Sequence, residues 1–128
     1  GEGSIQMCIQ ELSTCLQYGL PIKIINLNNA ALGMVRQWQD MQYGGRHSSS
    51  TYENSLPDFK ALAESYGHIG IKVSKFEDLE SAMQECIGLK DKLVFLDVDV
   101  DPNEHVYPML EAGHSMDYMR LGKDKKTW

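Results

Sequence analysis

No stretch of this chain is apolar enough for long enough to cross a bilayer, and no signal-peptide pattern is present. The reading is a cytoplasmic protein without membrane contact. Cysteine is scarce and odd in number: Cys8, Cys15 and Cys86 show no framework spacing, which argues against a disulfide-stapled secreted domain. Cys8 and Cys15 lie seven apart on an expected helix and read as small buried hydrophobes. Positive charge is in deficit, 12 Lys and Arg against 18 Asp and Glu, for a net charge of −6. No basic face of the kind a nucleic-acid binder carries is visible. The one Lys-rich run, 123–126, is interrupted by Asp124 and reads as a solvated tail. Repeats and low-complexity segments are also missing. What is present is 128 residues, 42% hydrophobic and 23% charged, the make-up of one soluble globular domain.

Hydrophobic spacing predicts an alternation of helices and strands. Ile5, Ile9, Leu12 and Leu16 form a stripe that predicts a helix over 4–18, with Ser4 as N-cap and Gly19 just past its end. A β-branched strand follows over 22–27, closed by Asn28-Asn29. A second helix is expected over 32–42, with Met34, Val35, Trp38 and Met41 as its apolar residues. The Gly- and Ser-rich stretch 44–55 reads as a loop. Leu56-Pro57-Asp58 opens a third helix, with Phe59, Leu62, Ala63 and Tyr66 on one side and Gly67 at its end. Strand 69–73, helix 76–89 (Leu79, Met83, Ile87) and strand 93–100 complete the pattern. Beyond Pro102 periodicity fades, and Val106, Tyr107 and Met109 read as part of an arm over 102–128 that packs on something.

The expected fold class is therefore α/β, a three-layer arrangement with a mostly parallel sheet and flanking helices. A Gly-rich turn opening a helix normally follows a strand, and none precedes Gly1. Upstream sequence is the expectation, with the domain N-terminally incomplete as it stands.

One crossover separates Gly1-Glu2-Gly3-Ser4 from Asn28-Asn29, so both fall at the carboxyl edge of the sheet, where ligands of open parallel sheets bind. Gly3 would let a phosphate approach the backbone. The N–H groups near Ser4 and Ile5 would point at it. A carboxylate at Glu2 and an amide oxygen at Asn29 are hard donors suited to Mg²⁺ shared with phosphate. The same residue types also make ordinary turns.

Gly1-Glu2-Gly3 with Asn28-Asn29 resembles the GDG…NN motif of thiamine diphosphate enzymes. Together with NNAALGMVRQWQDM, LPDFKALAESYGHIGIKV, LVFLDVDVD and EHVYPM, it resembles the catalytic large subunit of acetolactate synthase over essentially the whole chain. The resemblance implies a C-terminal thiamine diphosphate-binding domain spanning 1–128. The enzyme of that family condenses pyruvate with pyruvate or 2-oxobutyrate on the way to branched-chain amino acids.

The resemblance also implies Mg²⁺, an FAD that plays no redox part, a homodimer or tetramer of the large subunit, and a regulatory small subunit. By position, Glu2, Asn29 and the Ala31 carbonyl match the metal ligands. Gly3, Ser4, Leu32, Gly33 and Met34 match the cofactor lining. Trp38, otherwise a plain packing residue, matches a tryptophan at the substrate channel. The segments 43–50 and 104–119 match ones that close over the active site. The glutamate that activates the cofactor belongs to an N-terminal domain, so no catalytic residue is expected in this chain, and the polypeptide alone is expected to lack synthase activity. Another thiamine diphosphate decarboxylase, oxidase or carboligase is the alternative, as is a non-catalytic binding remnant.

One departure bears on the metal. The family carries aspartate where Glu2 stands, and the extra methylene lengthens the reach by roughly 1.5 Å. The remaining polar residues read plainly. His47, His68, His105 and His114 show no ligand spacing. Asp97, Asp99 and Asp101 line one face of a strand that either offers a cation site or leaves the sheet into solvent.

Overall fold

Three short strands pair side by side, and only the central one is apolar enough to be buried on both faces. A computed structural model of the chain describes residues 1–52 and 54–122. The strands are β1 (Lys23–Asn28), β2 (Ile69–Val73) and β3 (Val94–Asp99), all parallel in the order β1-β3-β2. β3 runs through the centre, which is why Leu93 to Val98 are all buried. Lys23 pairs with Val94 and Asn28 with Asp99, so the carboxyl ends of β1 and β3 finish level.

The helices are α1 (Glu2–Gln6), α2 (Glu11–Gln17), α3 (Gly33–Gln42), α4 (Phe59–Ser65) and α5 (Leu79–Gly88), the last preceded by a 3₁₀ turn at Phe76–Asp78. The strand period of two sends alternate β3 side chains to opposite faces. Val94, Leu96 and Val98 meet Ala82 and Cys86 of α5, together with Val73. Phe95 faces the other way and stacks on Phe59 of α4, ring centroids 5.9 Å apart, with Ala63 alongside and Ile5 of α1 at the margin. The result is helix, sheet, helix: the expected three layers.

At Gly70 the backbones of α4 and β2 nearly touch. A Cβ there would lie 2.5 Å from the Lys60 carbonyl oxygen. Asp58 caps α4 by accepting from the Ala61 N–H at 3.0 Å. Gly67 (φ +82°) and Gly19 (φ +61°) take the left-handed conformation that ends α4 and α2, as their positions predict.

Several expectations are corrected. The helix over 4–18 is two helices, because 7–10 is a turn with three-residue closures such as Cys8 N–H to Ile5 O and Glu11 N–H to Cys8 O, both 3.1 Å. Its stripe splits accordingly, with Leu12 buried but Leu16 exposed, and Cys8 faces solvent rather than sharing a buried face with Cys15. Gly1, not Ser4, is the N-cap of α1. On α5 the packed set is Leu79, Ala82, Met83 and Cys86, and Ile87 points outward. On α3 the apolar residues Met34 and Val35 are about half exposed, while the buried residue is Gln37.

The segment after β3 returns along α3. Gln37 reaches it with both ends of its amide: Nε2 donates to the Val106 carbonyl at 2.9 Å, and Oε1 accepts from the Val106 N–H at 3.0 Å. Met109 is buried beside it and pairs with Arg120 through two 2.8 Å backbone hydrogen bonds. The tail 123–126 and the end of the expected arm lie outside the described residues.

Candidate functional site at the carboxyl rim of the sheet

The rim is built by a tight turn. After β1 the chain reverses through Asn28, Asn29 and Ala30, and Ala30 adopts φ +53°, the left-handed region. The Asn28 Oδ1 accepts from the Ala30 N–H at 3.1 Å, and the Asn29 Oδ1 from the Ala31 N–H at 3.2 Å. These are the local bonds by which asparagine supports turns. Two backbone bonds tie the turn to the loop that follows α3: Leu32 N–H to Ser50 O at 2.8 Å, and Tyr52 N–H to Ala30 O at 3.0 Å.

Glu2 reaches the same turn from α1. Its side chain is 1% exposed, and its Oε1 accepts from the Ala31 N–H at 2.7 Å. One N–H therefore gathers a carboxylate oxygen and an amide oxygen. Glu2 and Ala31, 29 positions apart in sequence, become neighbours because the α1–α2–β1 segment brings the chain back to the rim.

Around this pair lies a cavity of about 580 Å³. Gly3, Ser4, Leu32, Gly33 and Met34 line it, together with Glu2, Asn29 and Ala31. Two of the glycines are closely approached by side chains. A Cβ on Gly3 would overlap the Tyr52 hydroxyl and lie 3.1 Å from Leu32 Cδ2, and one on Gly33 would lie 3.0 Å from Asn29 Nδ2. The Ser4 and Ile5 N–H groups do not face the cavity as expected: both donate to the Gly1 carbonyl, at 3.1 Å, because α1 starts at Glu2 and is capped by Gly1 rather than Ser4. Trp38 does not join this cavity. It lines a separate groove on α3 with Val35, Tyr43 and Arg46, and Val35 is shared by both.

Sequence reasoning missed two groups near the rim. Asp97 does not leave into solvent. It is 1% exposed and accepts from Asn26 Nδ2 and Lys72 Nζ, each at 2.7 Å; Lys72 also pairs with Asp99. Burial works against the charge on Lys72, yet the hydrogen bonds it donates to both carboxylates, with their negative charge, outweigh it and raise its pKa above the ordinary lysine value. The ammonium thus takes the place a metal cation would need beside these aspartates.

The second missed group is Asp40 on α3, which accepts from His47 Nε2 at 2.6 Å and from His105 Nε2 at 2.8 Å. Burial raises the Asp40 carboxyl, but the two histidines hold it below the usual aspartate value. One carboxylate thereby binds the loop before Ser50 and the segment after Pro102. Strand alternation and the cross-sheet order were the only available signals for Asp97–Lys72, and no spacing pattern links positions 40, 47 and 105. Among the described residues, no cluster of three or more His, Cys, Asp or Glu side chains is arranged to hold a metal.

An open parallel sheet with a glycine-bearing cavity at its carboxyl rim, edged by a buried carboxylate and an asparagine, defines an α/β domain of the diphosphate-binding class. Residues 1–98 match the family described as thiamine pyrophosphate enzyme, C-terminal TPP binding domain, and the chain belongs to that family. Its cofactor is accordingly thiamine diphosphate.

The chain is 60% identical over 126 residues to the acetolactate synthase large subunit of Haemophilus influenzae, covering 98% of this chain and 22% of that protein. It is 58% identical over 129 residues to the acetolactate synthase isozyme 3 large subunit of Escherichia coli K12, covering 99% and 22%. Among solved structures, the thiamine diphosphate-dependent 4-hydroxybenzoylformate decarboxylase of Rhodococcus jostii RHA1 superposes with a TM-score of 0.68 at 30% identity, covering 79% of this chain and 19% of that one. The chain thus spans about a fifth of the length of the curated relatives it matches.

Proposed function

We propose that this chain is the cofactor-binding part of an acetolactate synthase large subunit, acting in the condensation of pyruvate with pyruvate or 2-oxobutyrate for branched-chain amino acid synthesis. The observation that carries the reading is the shared Ala31 N–H, which sets the Glu2 carboxylate and the Asn29 amide oxygen together at the rim, beside Gly3.

The residues fit a diphosphate and its metal. Glu2, Asn29 and the Ala31 carbonyl are hard oxygen donors of the kind Mg²⁺ takes. Gly3 and Gly33 keep the wall of the cavity free of Cβ atoms, and Ser4, Leu32 and Met34 complete its lining. When bound, thiamine diphosphate supplies the carbanion chemistry. The chain's own part is to hold the diphosphate at the rim and to cover it: Met34 and Val35, apolar yet open, line the cavity and would offer apolar contact to a bound cofactor. To Trp38, which lines the adjoining groove, the proposal gives contact with the 2-oxoacid. Glutamate in place of the family's aspartate adds a methylene to the ligand arm, so weaker Mg²⁺ binding than in an aspartate variant is part of the proposal.

The wider assignments rest on the family resemblance and belong to the proposal: FAD in the full-length protein, a homodimer or tetramer, a regulatory small subunit, and a cytoplasmic setting. Among the described residues no helix is long and apolar enough to cross a membrane. The 128-residue polypeptide alone is expected to make no acetolactate, since the activating glutamate is supplied from elsewhere. The decarboxylase likeness favours a second thiamine diphosphate reaction class, but at 30% identity against 60% it carries less weight.

The test is an amide shift titration of the chain with thiamine diphosphate, with and without Mg²⁺. Mg²⁺-dependent shifts at Gly3, Asn29, Ala31 and Gly33 are expected. Absence of shifts at millimolar cofactor would overturn the reading. A Glu2→Asp variant should titrate at lower Mg²⁺.

A further inference from the structure

Asn28 does not line the cavity that holds Gly3 and Glu2; it faces the larger cavity on the other side of the turn. It nevertheless determines that turn. Among the described residues only Ala30 and Ser49 are non-glycine residues with positive φ. An L-alanine does not take that conformation without external support. The support comes from two bonds: Asn28 Oδ1 accepts the Ala30 N–H at 3.1 Å, and Tyr52 N–H donates to the Ala30 carbonyl at 3.0 Å. With Ala30 so placed, the next N–H, that of Ala31, reaches both Glu2 and Asn29.

Asn28 is itself seated by charge. Its Nδ2 lies 3.5 Å from Asp97 Oδ2, at the outer limit of a hydrogen bond. Asp97 is fixed from both flanking strands, by Asn26 of β1 and Lys72 of β2, which are its register partners across the sheet. One carboxylate therefore orients an asparagine amide, and the amide sets the backbone.

We propose that Asn28, seated by the Asn26–Asp97–Lys72 cluster, is a positioning residue that holds Ala30 left-handed, so that the Ala31 N–H draws Glu2 and Asn29 into one donor set. This rests on the cofactor reading above for its purpose, though not for its geometry.

Hydrogen exchange at the Ala31 amide and a Mg²⁺–thiamine diphosphate shift titration, both read on the full chain, test it. Asn28→Ala should speed Ala31 exchange by about tenfold or more, with amides of β3 and α5 unchanged. Cofactor affinity should fall about tenfold. Adding Ala30→Gly should restore both to within about threefold of the parent, because glycine takes φ +53° unaided. If Asn28→Ala fails to fold, Asn28→Ser with and without Ala30→Gly gives the same contrast. Unchanged Ala31 exchange in the single variant, or a double variant no better than the single, overturns the proposal. Restored exchange in a chain that ignores Mg²⁺ and thiamine diphosphate upholds the positioning role and instead sinks the cofactor reading.

Discussion

The sheet's interior and its carboxyl rim follow opposite rules. Between β3 and its flanking helices, apolar side chains are buried: Phe59, Phe95, Val94 and Leu96 are at most 1% exposed. At the rim and along α3 the buried side chains are Glu2, Asn26, Gln37 and Asp97, while Met34 and Val35 stand open. The first region is held by area removed from water, which needs no particular geometry. The second is held by hydrogen bonds that must each find a partner, because an unpaired buried polar group is costly. A fold that buries a carboxylate and leaves methionine exposed has given that region to something other than its own stability.

Substitutions sharpen the contrast. The largest effect is expected in the interior. Phe59→Ala removes the ring stacked on Phe95 and should destabilise by about 3–5 kcal/mol in a denaturant titration. Gly70→Ala comes next, at about 1–3 kcal/mol or somewhat more, because its Cβ meets the α4 backbone, which cannot rotate away.

Gln37→Ala strips both bonds from Val106 and should cost about 1–3 kcal/mol. Hydrogen exchange should show the loss concentrated at Val106 and Met109, with β3 unaffected. Met34→Ser, although it removes an apolar side chain from a helix, should stay within about 0.5 kcal/mol of the parent. A loss at Met34 as large as that at Phe59 would erase the distinction between the two regions.

Acid separates the regions in another way. Asp40 has a folded pKa below its unfolded value of 3.8. Its contribution is therefore complete above 3.8 and is lost as pH falls through the lower folded value. Exchange at His105 and His47 should accelerate in that acid window, before the Phe59–Phe95 core opens. In Asp40→Asn that early step should disappear. Simultaneous opening of both regions would break the comparison.

What could be read in advance divides along the same line. Apolar spacing in 59–66 and the strands expected over 69–73 and 93–100 match their elements closely, because burial there follows the periods of helix and strand. The meeting of Glu2 and Asn29 at one turn was also readable, since Gly1-Glu2-Gly3 and Asn28-Asn29 were expected at the same sheet edge. Gln37 was not: the apolar residues around it on α3 predict that they, and not the amide, turn inward. The alternation of Asp97, Asp99 and Asp101 reads as a solvent face unless Lys72 is known to lie on the neighbouring strand, and that follows only from the order β1-β3-β2. The clasp of Asp40 by His47 and His105 depends on where a loop and an arm come to rest, which no local pattern encodes.

The central claim is that the carboxylate of Glu2 and the amide of Asn29 converge on one cation at the rim. Mn²⁺ in place of Mg²⁺, added with thiamine diphosphate, tests this most directly through paramagnetic broadening of the amide spectrum. The account predicts that Gly3, Asn29, Ala31 and Gly33 vanish first, while amides of Leu79–Gly88 stay sharp. Broadening centred on Asp99 and Asp101, or spread evenly over the acidic surface, would contradict it.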